Sequence, residues 1–111
     1  MTGNEYQNLA LRTAAIPKDQ KEDMLRHAVF GLASEAGEVA GLMQKVYQGR
    51  PYDIEHMKKE LGDCMWMIAE ACFALGFTMD DVMELNIAKL KARFPEGFTV
   101  DNDTHRKAGD I

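Results

Sequence analysis

The stretch LASEAGEVAG, Leu32 to Gly41, sets two glutamates three residues apart, Glu35 and Glu38, among Ala, Gly, Val and Leu. No lysine or arginine lies within four residues of either. A second such pair, Glu60 and Asp63, stands in KELGDCMW, Lys59 to Trp66. Residues i and i+3 share a helix face, so each pair aims two carboxylates the same way. The positions four beyond the acids are Val39, Leu42, Cys64 and Met67, so no helical ion pair relieves them. Lys59 adjoins Glu60 in the chain but is expected to pair with Glu55 one turn back. Four like charges facing apolar neighbours are costly unless something compensates them. A hard divalent cation does so, and all-oxygen ligation suits Mg²⁺ or Mn²⁺. Histidine and cysteine are absent at ligand spacing, which argues against zinc. Acidic pairs are common on solvated helices. Two more in this chain, Asp19/Glu22 and Asp81/Glu84, fall at expected helix starts, where negative charge suits the macrodipole.

The elements that must carry these acids are helical. Apolar residues recur at helical spacing, and alternating β-branched runs are almost absent. Tyr6, Leu9, Ala10 and Thr13 mark a short first helix, broken at Pro17. Asp19 with Glu22 resembles a capping box for a long second helix, whose stripe runs from Met24 through Leu32 and Val39 to Val46. YQGRPYD, Tyr47 to Asp53, reads as a turn with Asp53 as the next N-cap. A third helix runs from Ile54 to Leu75 and ends at Gly76. A fourth opens at Thr78 with Asp81 and stops at Pro95. From Glu96 onward the chain is polar and without period, so an extended or mobile tail is expected. Placing Glu38 and Glu60 about equally far from a turn near Gly49 brings the two acidic pairs to the same height across an antiparallel hairpin. Gly31, Gly37 and Gly41 each cost the second helix about 1 kcal/mol relative to alanine, and close approach of a helix or ligand accounts for such a penalty.

The expected fold is all-α. It is an antiparallel bundle of three to four helices per chain, completed by homo-oligomerisation because two long helices expose more apolar surface than one short neighbour covers. The 111 residues suit one small domain, taken as 1–98 with a polar C-terminal tail over 99–111. The net charge of −5 disfavours nucleic acid as a partner. No apolar run approaches a membrane span and no leader is evident, so a cytoplasmic location is expected. Cys64 and Cys72 would stand about 12 Å apart along one helix, too far for a disulfide.

SEAGEV and, after 21 intervening residues from Glu38, ELGD together resemble the ExxE…ExxD signature of the MazG-like all-α NTP pyrophosphohydrolase superfamily. HAVFGLASEAGEVAGLMQK (His27–Lys45) and NIAKLKARFPEGF (Asn86–Phe98) are similar to family blocks in the same order, and the likeness covers about Tyr6 to Phe98. The resemblance implies hydrolysis of a nucleoside triphosphate between the α and β phosphates. It implies Mg²⁺ held by Glu35, Glu38, Glu60 and Asp63, and assembly as a homodimer or a dimer of dimers. Glu35 is the candidate for orienting or deprotonating the attacking water. Asn86, Lys89 and Arg93, one turn apart in succession, are candidates for gripping phosphates, and Lys45, two turns beyond Glu38, is a further one. The ordinary reading of these bases is complementing a helix C-terminus. For the nucleobase, Trp66 and His27 are candidates, with a core aromatic and a structural histidine as the plain alternatives. Phosphoribosyl-ATP pyrophosphohydrolase shares the superfamily, and a non-enzymatic oligomerisation module with a structural cation is the competing class. A di-iron bundle is disfavoured because no Glu-x-x-His occurs: Met24, Asp53 and Asn102 precede the three histidines by three.

Overall fold

The computed structural model describes residues 1–111 and contains helices and turns without strands. Its elements are α1 (Gly3–Ala10) with a 3₁₀ turn over Leu11–Thr13, α2 (Lys21–Tyr47), α3 (Ile54–Leu75), α4 (Met79–Arg93) and α5 (Val100–Thr104). The chain divides into two compact units, Met1–Met79 and Asp80–Ile111.

The first unit is built on the α2/α3 hairpin. Asp53 caps α3 as expected, its side chain accepting from the backbone N–H of His56 at 3.1 Å. Gly76 ends α3 at φ 88°, a left-handed conformation that lets Phe77 N donate back to Cys72 O at 3.0 Å. The start of α2 differs from expectation. Gln20, not Asp19, is the N-cap and makes no side-chain cap bond, because the turn at Pro17 to Gln20 already closes on itself through Gln20 N and Pro17 O. The capping box is instead at α1, where Thr2 and Glu5 each accept from the other's backbone N–H at 3.0 and 3.2 Å.

The buried apolar set is small: Leu11, Met24, Ala28, Leu42, Ala69, Cys72 and Met79. Gln7 locks α1 onto the end of α3. Its buried amide donates to Ala69 O and Phe77 O at 3.2 and 3.3 Å and accepts from Met79 N at 3.1 Å. One side chain thereby satisfies two carbonyls and a first-turn N–H that would otherwise be orphaned. Both cysteines are free thiols.

The hairpin register follows a simple series. Glu35 of α2 faces Glu60 and Asp63 of α3, Gly31 faces Met67, and His27 faces Glu70. A Cβ on Gly31 would collide with the Met67 thioether, so this glycine permits the close approach expected of it. Gly37 and Gly41 have open space where a Cβ would stand, so helix packing within the chain does not require either.

In the second unit α4 ends at Arg93, and the segment beyond it is ordered where an extended or mobile tail was expected. Thr99 caps the short α5 by accepting from Asn102 N at 3.0 Å, and Asp110 folds back onto Arg93 through two hydrogen bonds of 2.7 and 2.6 Å. A bidentate arginine–carboxylate pair with both side chains largely buried supplies the anchor that a polar, aperiodic segment lacks by composition. No single helix is long and apolar enough to cross a membrane.

Candidate metal centre

Carboxylate oxygens of Glu35, Glu60 and Asp63 lie within 4.8 Å of one another in the first unit. The hairpin register delivers them: α2 supplies one acid, and one turn of α3 supplies two. The Glu60 side chain is 15 % exposed, Glu35 is half-buried and Asp63 is open to solvent. Glu38 is exposed and lies outside this group of three, although its charge is felt by Glu35. Three of the four acids read from the sequence are therefore brought together, and the fourth stands one turn along α2.

The electrostatics are those of crowded like charges. The Glu35 carboxyl holds its proton above the ordinary carboxylate range, first through desolvation, then through the charges of Asp63 and Glu60, a hydrogen bond with Glu60, and the charge of Glu38. The nearby Tyr6 hydroxyl is also shifted upward, first by burial and then by Asp63. An all-carboxylate donor set with this spacing fits a hard divalent cation, whose octahedral ligand oxygens stand roughly 3–4 Å apart. Zinc, which favours nitrogen and sulfur, fits less well.

His56 braces the centre. Its Nε2 lies 3.1 Å from Glu60 Oε1, and its Nδ1 lies 3.7 Å from Asp53. Lys59 makes no pair with Glu55. Lys58, at i+3, approaches that acid instead, at 3.9 Å.

Two turns from Glu35 along α2, His27 Nδ1 meets Glu70 Oε1 at 2.5 Å. Glu70 is fully buried and its second oxygen, Oε2, has no hydrogen-bond partner. The sequence reading missed Glu70. The available signal was a lone acid in the apolar run WMIAEACFAL, Trp66 to Leu75, two turns beyond Asp63. Trp66 packs edge-on to His27 with ring centroids 6.1 Å apart. Its indole N–H donates to Ala10 O at 3.0 Å and Thr13 Oγ1 at 2.9 Å, so it ties α3 to the first helix and its turn.

The remaining candidates fall in two places. Lys45 lines a cleft at the α2–α3 turn. Asn86, Lys89 and Arg93 belong to the second unit. Lys89 shares a cleft there with Lys107 and Asp110, and Arg93 is engaged by Asp110, whose carboxyl it holds below the ordinary range, chiefly through their hydrogen bonds.

Comparison with known proteins agrees with this architecture. The family model of the MazG nucleotide pyrophosphohydrolase domain matches residues 21–98, a span that holds all four acids and the Asn86–Arg93 block. The chain is 31 % identical over 100 residues to the Gene 37 protein of Mycobacterium phage L5, covering 83 % of this chain and 88 % of that protein. No solved structure matches the chain significantly. With the family model spanning most of its length, the chain belongs to the MazG nucleotide pyrophosphohydrolase domain family.

Proposed function

We propose that the protein is a Mg²⁺-dependent nucleoside triphosphate pyrophosphohydrolase, cleaving an NTP or dNTP into a monophosphate and pyrophosphate. The observation that carries this reading is the convergence of Glu35, Glu60 and Asp63 across the hairpin, with Glu38 one turn away. Mg²⁺ bound there would link carboxylates to phosphate oxygens and draw charge from the α-phosphorus; Mn²⁺ has the same ligand preference.

The chain's own residues account for the rest. Glu60 and Asp63 would hold the ion through their carboxylate oxygens, and His56 contacts the Glu60 carboxyl from outside. Glu35 combines partial burial with a raised affinity for a proton, which suits a carboxylate that takes the proton of an attacking water. The water oxygen bonds to the α-phosphorus, and the bond from that phosphorus to the α–β bridging oxygen breaks. The electron pair leaves with pyrophosphate, and the water proton passes through Glu35 to solvent. Lys45 stands at the turn end of the hairpin and is the basic residue of the first unit offered to phosphate.

A second copy of the chain completes the fold in this reading. Phe30, Val29, Leu61 and Met65, between 72 % and 45 % exposed on the two long helices, are the surface it would cover.

Pyrophosphate release from a panel of NTPs and dNTPs with Mg²⁺ tests the function. Activity should appear with at least one nucleotide, vanish on chelation, and be lost in Asp63→Ala and Glu38→Ala while both variants remain folded. Wild-type turnover by either variant at low Mg²⁺ would remove the acids from the mechanism.

A further inference from the structure

The turn between α2 and α3 encloses a cleft of about 620 Å³ whose lining includes Lys45, Arg50 and His56. Backbone geometry brings the two basic residues together at the turn. Gly49, at φ 99°, reverses the chain so that Arg50 N donates to Lys45 O at 3.0 Å. Neither Lys45 nor Arg50 has a carboxylate partner, and the cleft also holds two acids with contacts of their own. Asp53 caps α3, and Glu55 lies against Lys58. Two free cations facing one cleft are notable in a chain of net charge −5.

The cleft adjoins the metal centre. His56 lines it and also contacts Glu60 Oε1 at 3.1 Å. Lys45 lies ten residues beyond Glu35, about 15 Å along α2, and a helical side chain leans toward the N-terminus, here toward the acids. An anion that begins at the carboxylate cluster and runs toward the turn therefore meets Lys45 and Arg50 next.

We propose that this cleft receives the β,γ-phosphates of the substrate, the future pyrophosphate, with Arg50 as a binding residue alongside Lys45. The triphosphate then lies with its tail toward the α2–α3 turn. Arginine's planar fork matches two phosphate oxygens at once. This inference rests on the function proposed above.

Titration calorimetry with inorganic pyrophosphate and Mg²⁺ tests it directly. Arg50→Gln should weaken pyrophosphate binding by roughly tenfold, the scale of one charge-assisted hydrogen bond. Arg50→Lys should restore part of the loss, and binding of a nucleoside monophosphate should stay within about twofold of wild type. Arg50 sits in an exposed turn, and an unchanged melting temperature would show that the variant is folded. Wild-type pyrophosphate affinity in Arg50→Gln overturns the proposal, as does a wild-type protein that binds no pyrophosphate. Loss confined to Lys89→Gln also overturns it. Arg50-dependent binding in a protein that cleaves no triphosphate would sink the proposed function and leave the cleft as a polyphosphate site.

Discussion

His27→Ala should destabilise the protein far more than the loss of a half-exposed side chain suggests. The His27 side chain is 49 % exposed, and the Glu70 side chain it touches is 0 % exposed. His27 Nδ1 is the hydrogen-bond partner of Glu70 Oε1, and Oε2 has none. Removing the imidazole leaves a buried carboxyl with neither oxygen satisfied. Breaking a buried polar pair from one side costs about 3–5 kcal/mol. Solvent beside His27 and water entering the vacated space favour the lower end, about 3 kcal/mol. Set against a total of about 5–15 kcal/mol, that shifts the melting temperature on the order of 15 °C. Glu70→Met removes both the buried carboxyl and its orphan oxygen at similar volume, so it should be near neutral or slightly stabilising. The double variant should therefore recover most of the loss seen in His27→Ala. Urea denaturation of all four proteins at one fixed protein concentration measures the cycle. A loss below about 1 kcal/mol in His27→Ala, or a double variant no more stable than His27→Ala, would refute the argument.

Ionisation of Glu35 should cost the metal-free protein stability as pH rises through the carboxyl range, against the opposite contribution of Asp110. Glu35 has a folded-state value above its unfolded one, so the folded state binds more protons between the two and stability falls as pH climbs through that window. Glu35→Gln should flatten this limb in denaturation midpoints measured at several pH values. Gly37→Ala should gain about 0.5–1 kcal/mol, since its Cβ meets nothing, whereas Gly31→Ala should gain less because the Met67 thioether must move aside; thermal melts decide both. Light scattering in dilute buffer should give at least twice the chain mass of 12.5 kDa, and a fully active monomer would exclude a shared core.

Local rules made much of the molecule legible in the sequence. Helical periodicity, the Asp53 cap and the Gly76 stop place α3 without reference to anything distant, because capping and left-handed termination are satisfied within a few residues. The pairing of Glu35 with Glu60 and Asp63 follows from two helix lengths and one turn, since rise per residue fixes height along a hairpin. Which of several spaced acids converge was not fixed by height alone. Glu38 is close to the cluster in height, but it is exposed and lies outside the group of three. Glu70 looked like one polar break in an apolar helix, and only the partner helix arriving with His27 gives it a hydrogen bond. Gln7 likewise reads as an ordinary polar residue until the chain end of α3 folds over it. The segment after Pro95 carries no periodic signal because Asp110 and Arg93, not a hydrophobic stripe, hold it. Periodicity reports burial that repeats along one element. A single polar contact between residues distant in the chain leaves no repeat, so only the tertiary structure decides it.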